Sequence, residues 1–126
     1  MRVRRDVRRF MELSDRAEAG IDKAGIHTAR RHLFLCIGPD CCGTREGERL
    51  WEVVKMRTKE VGLEAMRTKA GCFRICADGP WLVVYPEGIW YPQVTPERFE
   101  RILQEHLVAG FPVQEWIAAK NCLSAN

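Results

Sequence analysis

Nowhere in its 126 residues does the chain string together the ~18 consecutive apolar residues that a membrane span requires. Its Arg-rich start is followed by no apolar segment, so a secretory signal is not expected. A Cys-x2-Cys knuckle is missing as well, which weakens both a structural zinc module and a thioredoxin-type redox motif. No Ser/His/Asp set, glycine-rich phosphate loop or paired-carboxylate site is recognisable, and neither is an internal repeat or a low-complexity block. These absences, with 46% hydrophobic and 29% charged residues, leave one globular domain. A chain this long buries roughly two-thirds of the surface its unfolded form exposes, so it can build a core without metal or disulfides. A cytoplasmic location and no membrane partner are the expectation.

Charge is unevenly placed. Residues 1–31 carry nine Lys/Arg against five Asp/Glu, a balance of +4, which leaves 11 against 12, or −1, for residues 32–126. A nucleic-acid-binding domain normally carries its positive charge on the folded body, so nucleic acid is not an expected partner. Residues 1–29 read as a basic arm, partly helical or disordered. Val3, Val7, Phe10 and Met11 fall at helical spacing among arginines, and Gly20 and Gly25 loosen the chain before the domain begins. Residues 30–118 are the expected domain and 119–126 a tail.

Within the domain, His32-Leu33-Phe34-Leu35 is an apolar strand that runs into Cys36. The apolar face of Leu50, Val53, Val54 and Val61 predicts a helix from about Arg45 to Val61, which Gly62 ends. Leu63 to Thr68 reads as a second strand. Trp81-Leu82-Val83-Val84-Tyr85 is nearly continuous in apolar character, as a buried strand would be, and Pro86-Glu87-Gly88 turns it back into Ile89-Trp90-Tyr91. Thr95 and Pro96 open a last helix with Phe99, Ile102, Leu103, His106 and Leu107 on one side, and Gly110 and Pro112 stop it. The expected architecture is α/β: a mixed four-stranded sheet with two main helices.

Six cysteines are present, Cys36, Cys41, Cys42, Cys72, Cys76 and Cys122. A disulfide framework needs a secreted context, and clustered cysteines in a reducing compartment are more often metal ligands or redox groups. Five of the six fall in two tight groups. One group brackets the turn between strand one and helix one, and the other lies in the loop before strand three. If strands one and three are neighbours, both loops can close around one object. Four thiolates suit zinc or an iron–sulfur cluster. The glycines favour the cluster: an oxidised [2Fe–2S] centre with four thiolates carries −2 and needs many donors around its sulfurs. Gly38, Gly43, Gly71 and Gly79 sit beside the cysteines, where they let backbone N–H groups approach. Helix one points its positive end at Cys42, and Arg45 and Arg74 add positive potential.

The segments His32-Leu33-Phe34-Leu35-Cys36, Gly71-Cys72-Phe73-Arg74-Ile75-Cys76 and Gly79-Pro80-Trp81 through Ile89-Trp90-Tyr91, with the closing helix from Val94-Thr95-Pro96-Glu97 to Val113, resemble the thioredoxin-like [2Fe–2S] ferredoxins. These proteins are related to the peripheral iron–sulfur subunit of respiratory NADH dehydrogenase. The resemblance runs from His32 to about Trp116. It implies a thioredoxin-like fold, one [2Fe–2S] cluster per chain held by four cysteines, and one-electron transfer to redox partner proteins without substrate turnover. It also implies a homodimer, for which the apolar stretch Ile89-Trp90-Tyr91 offers a surface. Cys36, Cys72 and Cys76 match the ligand pattern. The first loop is shorter than in better-known members and carries the vicinal pair Cys41-Cys42. Register on Leu50, Trp51 and Val54 selects Cys42 as the remaining ligand. The Cys-x4-Cys spacing of the respiratory subunit keeps Cys41 as the alternative.

Two other functions compete with an electron carrier: a thiol oxidoreductase using the vicinal cysteines, and a structural zinc module. Cys122 lies in the polar tail and reads as a bystander thiol. His106 sits in the apolar stripe of the last helix and reads as a core residue. His32 reads as structural, the four tryptophans as packing, and Gly38-Pro39-Asp40 as loop chemistry.

Overall fold

The computed structural model describes residues 11–124. Its sheet has five strands in the order β2-β1-β3-β4-β5. β1 (Arg31–Cys36) runs parallel to β2 (Ala65–Ala70) and antiparallel to β3 (Leu82–Tyr85). β4 (Ile89–Tyr91) returns beside β3, and β5 (Ala119–Lys120) adds an outer strand. Strands one and three are thus neighbours, the condition for both cysteine loops to close around one object. The fifth strand is a correction to the expected four, and it falls in the segment expected to be a tail. Gly88 holds it in place: at φ +70° this turn glycine faces the backbone of Asn121 with no space for a Cβ.

Each helix follows from its own residues. The first, α1 (Asp15–Ala24), is capped by the Ser14 hydroxyl, which accepts the Ala17 N–H at 3.1 Å, and closed by Gly25 at φ +77°. Gly20 lies inside this helix rather than loosening the chain. Of the helix expected on Val3, Val7, Phe10 and Met11, all but Met11 lies outside the described residues, and Met11 is exposed and not helical. In α2 (Thr44–Glu60), Leu50, Trp51, Val54 and Thr58 form the buried face. Gly47 on that face lies so close to the backbone of Ile37 that any side chain there would collide with it. The last helix begins as α3 (Pro96–Ile102), with the Thr95 hydroxyl accepting the Arg98 N–H at 3.1 Å. It continues as a π-helical turn over Leu103–Val108, which Gly110 at φ +92° ends.

α2 and the closing helix cover one face of the sheet. Leu33, Leu35, Leu82, Val84, Ile89 and Tyr91 from the strands meet Leu50, Val54, Phe99, Ile102 and Leu103 in a single core. Each such large side chain contributes about 1.5–3 kcal/mol by leaving water. The alternate residues point the other way, as strand geometry requires. His32 stacks on Phe34 at 4.1 Å there, and Tyr85 meets Phe34 edge-on at 5.9 Å.

One polar network crosses the core. The Tyr91 hydroxyl accepts the Val113 N–H at 3.1 Å and is hydrogen-bonded to His106 Nδ1 at 2.8 Å. His106 is fully buried, and its Nε2 lies 3.1 Å from the Glu87 carboxylate, which also takes the Arg31 guanidinium at 3.0 Å. His106 is therefore a core residue, as its place in the apolar stripe predicts. Burial lowers the His106 pKa below the ordinary value, although the Glu87 carboxylate works against that. Burial works to raise the Glu87 carboxyl, but the hydrogen bonds from Arg31, its own backbone and His106 outweigh it, and the pKa is lowered.

Candidate metal centre

The sheet topology delivers the cysteines to one place. Cys36 is the last residue of β1, and β2, being parallel, ends beside it. β3 is antiparallel and begins there. The loop leaving β1 (residues 37–43) and the loop joining β2 to β3 (residues 71–81) therefore emerge at the same end of the sheet. They are clamped to each other. The Gly79 N–H donates to the Cys41 carbonyl at 2.9 Å, and a Cβ on Gly79 would fall 2.6 Å from that same oxygen. Gly38, at φ +88°, faces the Cys42 carbonyl with no space for a side chain. Gly71 approaches the Gly38 carbonyl more loosely, and Gly43 is the N-cap of α2, its N–H directed at Glu46 Oε1 at 3.4 Å.

The first sulfur group is interior. Cys36 is 0% and Cys41 5% exposed; with Trp81 they form a second small core, against which Cys42, Phe73, Ile75 and Trp90 pack. Cys36 Sγ lies 2.7 Å from Cys41 Sγ, and Cys41 Sγ lies 3.7 Å from Cys42 Sγ. The Trp81 N–H donates to Cys36 Sγ at 3.1 Å. Burial first, and the neighbouring Cys41 thiol second, push the Cys36 and Cys42 thiols up to about 12. As free thiols they hold their protons, so a metal entering here displaces protons as it binds.

The second group is at the surface. Cys72 and Cys76 are both exposed, and their sulfurs and a carboxylate oxygen of Asp40 all lie within 4.8 Å of one another. Arg74 takes a left-handed conformation, φ +68°, and its N–H donates to Cys72 Sγ at 2.9 Å. The negative charge of Cys72 is the first cause that raises the Cys76 thiol, with burial second. The loop is tied down on both sides: Trp81 Nε1 donates to the Ala77 carbonyl at 2.8 Å, and the Gln93 N–H to the Asp78 carbonyl at 2.8 Å.

The structure thus brings Cys36, Cys41, Cys42, Cys72 and Cys76 to one end of the sheet. Cys122 is left out; it follows Asn121, which sits at the β3–β4 turn at the opposite end. The donors that reach sulfur, from Trp81 and Arg74, are backbone groups, which residue types do not reveal. The four glycines set how closely the loops approach. Asp40 reads as loop chemistry in the sequence, and only the meeting of the two loops places it beside Cys72 and Cys76.

No family model matches the chain. Among curated proteins it is 33% identical over 90 residues to a 2Fe-2S ferredoxin of Clostridium pasteurianum, covering 64% of this chain and 88% of the relative. It is 31% identical over 100 residues to a 2Fe-2S ferredoxin of Aquifex aeolicus, covering 71% of this chain and 90% of that one. This chain belongs to the 2Fe–2S ferredoxins. A solved structure of the thioredoxin-like [2Fe-2S] ferredoxin from Aquifex aeolicus superposes with a TM-score of 0.65 at 29% identity, covering 75% of this chain and 94% of that one. A second, of the wild-type protein, gives 0.64, with 74% and 100% covered. The resemblance to the thioredoxin-like [2Fe–2S] ferredoxins and the expected thioredoxin-like fold are both borne out.

The residues also fit the ferredoxin cofactor on their own chemistry. Thiols outnumber the four that a cluster needs, N–H donors already point at two of the sulfurs, and Trp81 and Trp90 wall one side. Among the described residues no helix is long and apolar enough to cross a membrane.

Proposed function

We propose that this chain is a one-electron carrier holding one [2Fe–2S] cluster through Cys36, Cys42, Cys72 and Cys76. The observation that carries this reading is the convergence of two cysteine-bearing loops, with backbone donors aimed at sulfur, in a member of the ferredoxin family. When bound, the cluster supplies one-electron exchange. Around it, Trp81 and Arg74 N–H groups stabilise negative sulfur, Trp81 keeps water from Cys36, and the exposed Cys72–Cys76 loop is the side at which a redox partner comes close. Register on α2 supports Cys42, which also lies nearer the helix's positive end. A specific observation favours Cys41 as the second reading: its sulfur is buried and faces Cys36 Sγ at 2.7 Å.

Anaerobically purified protein should be red-brown, with two irons per chain. Colourless protein with zinc would instead support a structural module, and metal-free protein with reactive thiols a thiol oxidoreductase. Comparing Cys41→Ser with Cys42→Ser by iron content and visible spectrum decides the ligand. Loss of the cluster in Cys41→Ser alone would reject the register argument. Free thiols on all six cysteines are in keeping with a reducing, cytoplasmic setting. A homodimer remains part of this reading, on altered grounds. Ile89 and Tyr91 are buried in their own core, so the half-exposed Trp90 and the aromatic sheet face around Phe34 and Tyr85 supply the surface. Light scattering that returns one chain's mass at micromolar concentration would reject it.

A further inference from the structure

Asp40 is out of place on simple electrostatic grounds. Its carboxylate oxygen lies within 4.8 Å of both Cys72 Sγ and Cys76 Sγ, a negative group beside two sulfurs that turn negative on binding metal. Nothing in its own segment requires this position. Asp40 belongs to the loop leaving β1, whereas Cys72 and Cys76 belong to the loop between β2 and β3. The contact exists because the Gly79–Cys41 hydrogen bond and the tight packing of Gly79 on the Cys41 backbone draw the two loops together. No Lys or Arg among the described residues forms an ion pair with Asp40.

We propose that Asp40 sets the redox balance of the site, its fixed negative charge at the Cys72–Cys76 loop disfavouring the reduced state and lowering the reduction potential. This rests on the cluster reading above. An added electron makes the centre more negative, and a carboxylate within 4.8 Å of two ligand sulfurs repels that charge more than it repels the oxidised form. The redox step itself makes and breaks no bond: one electron arrives from the external reductant and stays on the metal centre. Because Asp40 is exposed, the repulsion is screened by salt.

The test is an anaerobic redox titration of the full chain with dithionite and mediator dyes, on wild type, Asp40→Asn and Asp40→Glu, at low and high potassium chloride. Asp40→Asn should keep two irons per chain and the wild-type visible spectrum. Its midpoint should move to a more positive potential, equivalent to roughly fourfold or more in the equilibrium with a fixed reductant at low salt. The difference should shrink at high salt, and Asp40→Glu should restore a near wild-type value. A merely structural aspartate would not produce that salt dependence. An unchanged midpoint in Asp40→Asn overturns the proposal. So does loss of iron in Asp40→Asn, which would make Asp40 a ligand or a structural residue instead. Wild-type protein without iron would reject the ferredoxin reading itself, a failure visible before any titration.

Discussion

Replacing Gly79 by alanine tests whether the clamp between the two loops is as tight as the structure makes it. Gly79 does not occupy the left-handed region, so alanine is conformationally permitted there and space alone is at issue. The new Cβ would stand 2.6 Å from the Cys41 carbonyl oxygen, 2.8 Å from Cys41 Cβ and 3.0 Å from the Cys41 carbonyl carbon. These are backbone or near-backbone atoms, so no flexible side chain can swing away and one loop must move. Overpacking of this kind costs about 1–3 kcal/mol. The Gly79 N–H to Cys41 hydrogen bond, worth about 0.5–1.5 kcal/mol, is strained at the same time. Against this stands a gain of about 0.4–1 kcal/mol from a less flexible unfolded chain. The net loss is roughly 1–3 kcal/mol, a fall in Tm of about 4–12 °C for a domain of this size. Because the displaced residue belongs to the vicinal pair, iron per chain should fall too. Gly20→Ala is the control: it lies in α1 with nothing within 4 Å, so alanine there should be neutral or stabilising. Thermal denaturation and iron assay of both variants decide the matter. A Gly79→Ala protein with wild-type Tm and full iron would show that the two loops are not clamped at this position.

Tyr91→Phe removes the hydroxyl that serves both Val113 and His106, leaving two buried groups without partners at about 1–3 kcal/mol each, so the urea midpoint should drop clearly. Stability should also be acid-sensitive: His106 has its folded pKa depressed by burial, so the native state stays neutral where the unfolded chain already takes up a proton. Its contribution is complete above about pH 6.5 and is lost as the pH falls toward the folded value, with the lowered Glu87 acting in the same sense at more acid pH. Equal urea midpoints at pH 7.5 and 5.5 would contradict this. Cys122→Ser should leave iron content and spectrum untouched, since that thiol is exposed beside the turn far from the other five. Deleting residues 1–29 should preserve the visible spectrum while weakening any salt-sensitive affinity for acidic partners; loss of the cluster on truncation would show that the arm is structural.

The elements legible in the sequence are those whose residues bury a face. The run Leu82–Tyr85 and the stripe Phe99, Ile102, Leu103, His106, Leu107 can be read because the core selects them at every repeat. β5 cannot, because two residues, Ala119 and Lys120, carry no pattern and are held only by pairing with β4. α1 is hidden by its glycines: Gly25 is a helix stop in the left-handed conformation, and with Gly20 it reads as loosened chain. The π-helical turn escapes because its five-residue bond from the Ala109 N–H to the Gln104 carbonyl leaves the apolar spacing almost unaltered. In the site, cysteine is a residue type that declares itself, whereas the donors on sulfur are main-chain groups of Trp81 and Arg74. Asp40 joins the site only through a contact between loops about thirty residues apart, which no local pattern encodes.

The position of β3 in the middle of the sheet has a consequence for the order of events during synthesis. Every cysteine of the site has been made once residue 76 is joined, yet the strand that fixes the end of the sheet they occupy finishes only at Tyr85, nine residues later. Trp81, which covers Cys36 and donates to its sulfur, also belongs to that late segment. At ~5–20 residues per second the interval lasts about a second. As the chain emerges, the five thiols precede by the same interval the strand and the tryptophan that cover Cys36. Until β3 has docked onto β1, nothing holds the two cysteine loops at the same end of the sheet, so the site is completed by pairing between strands and not by the cysteines themselves.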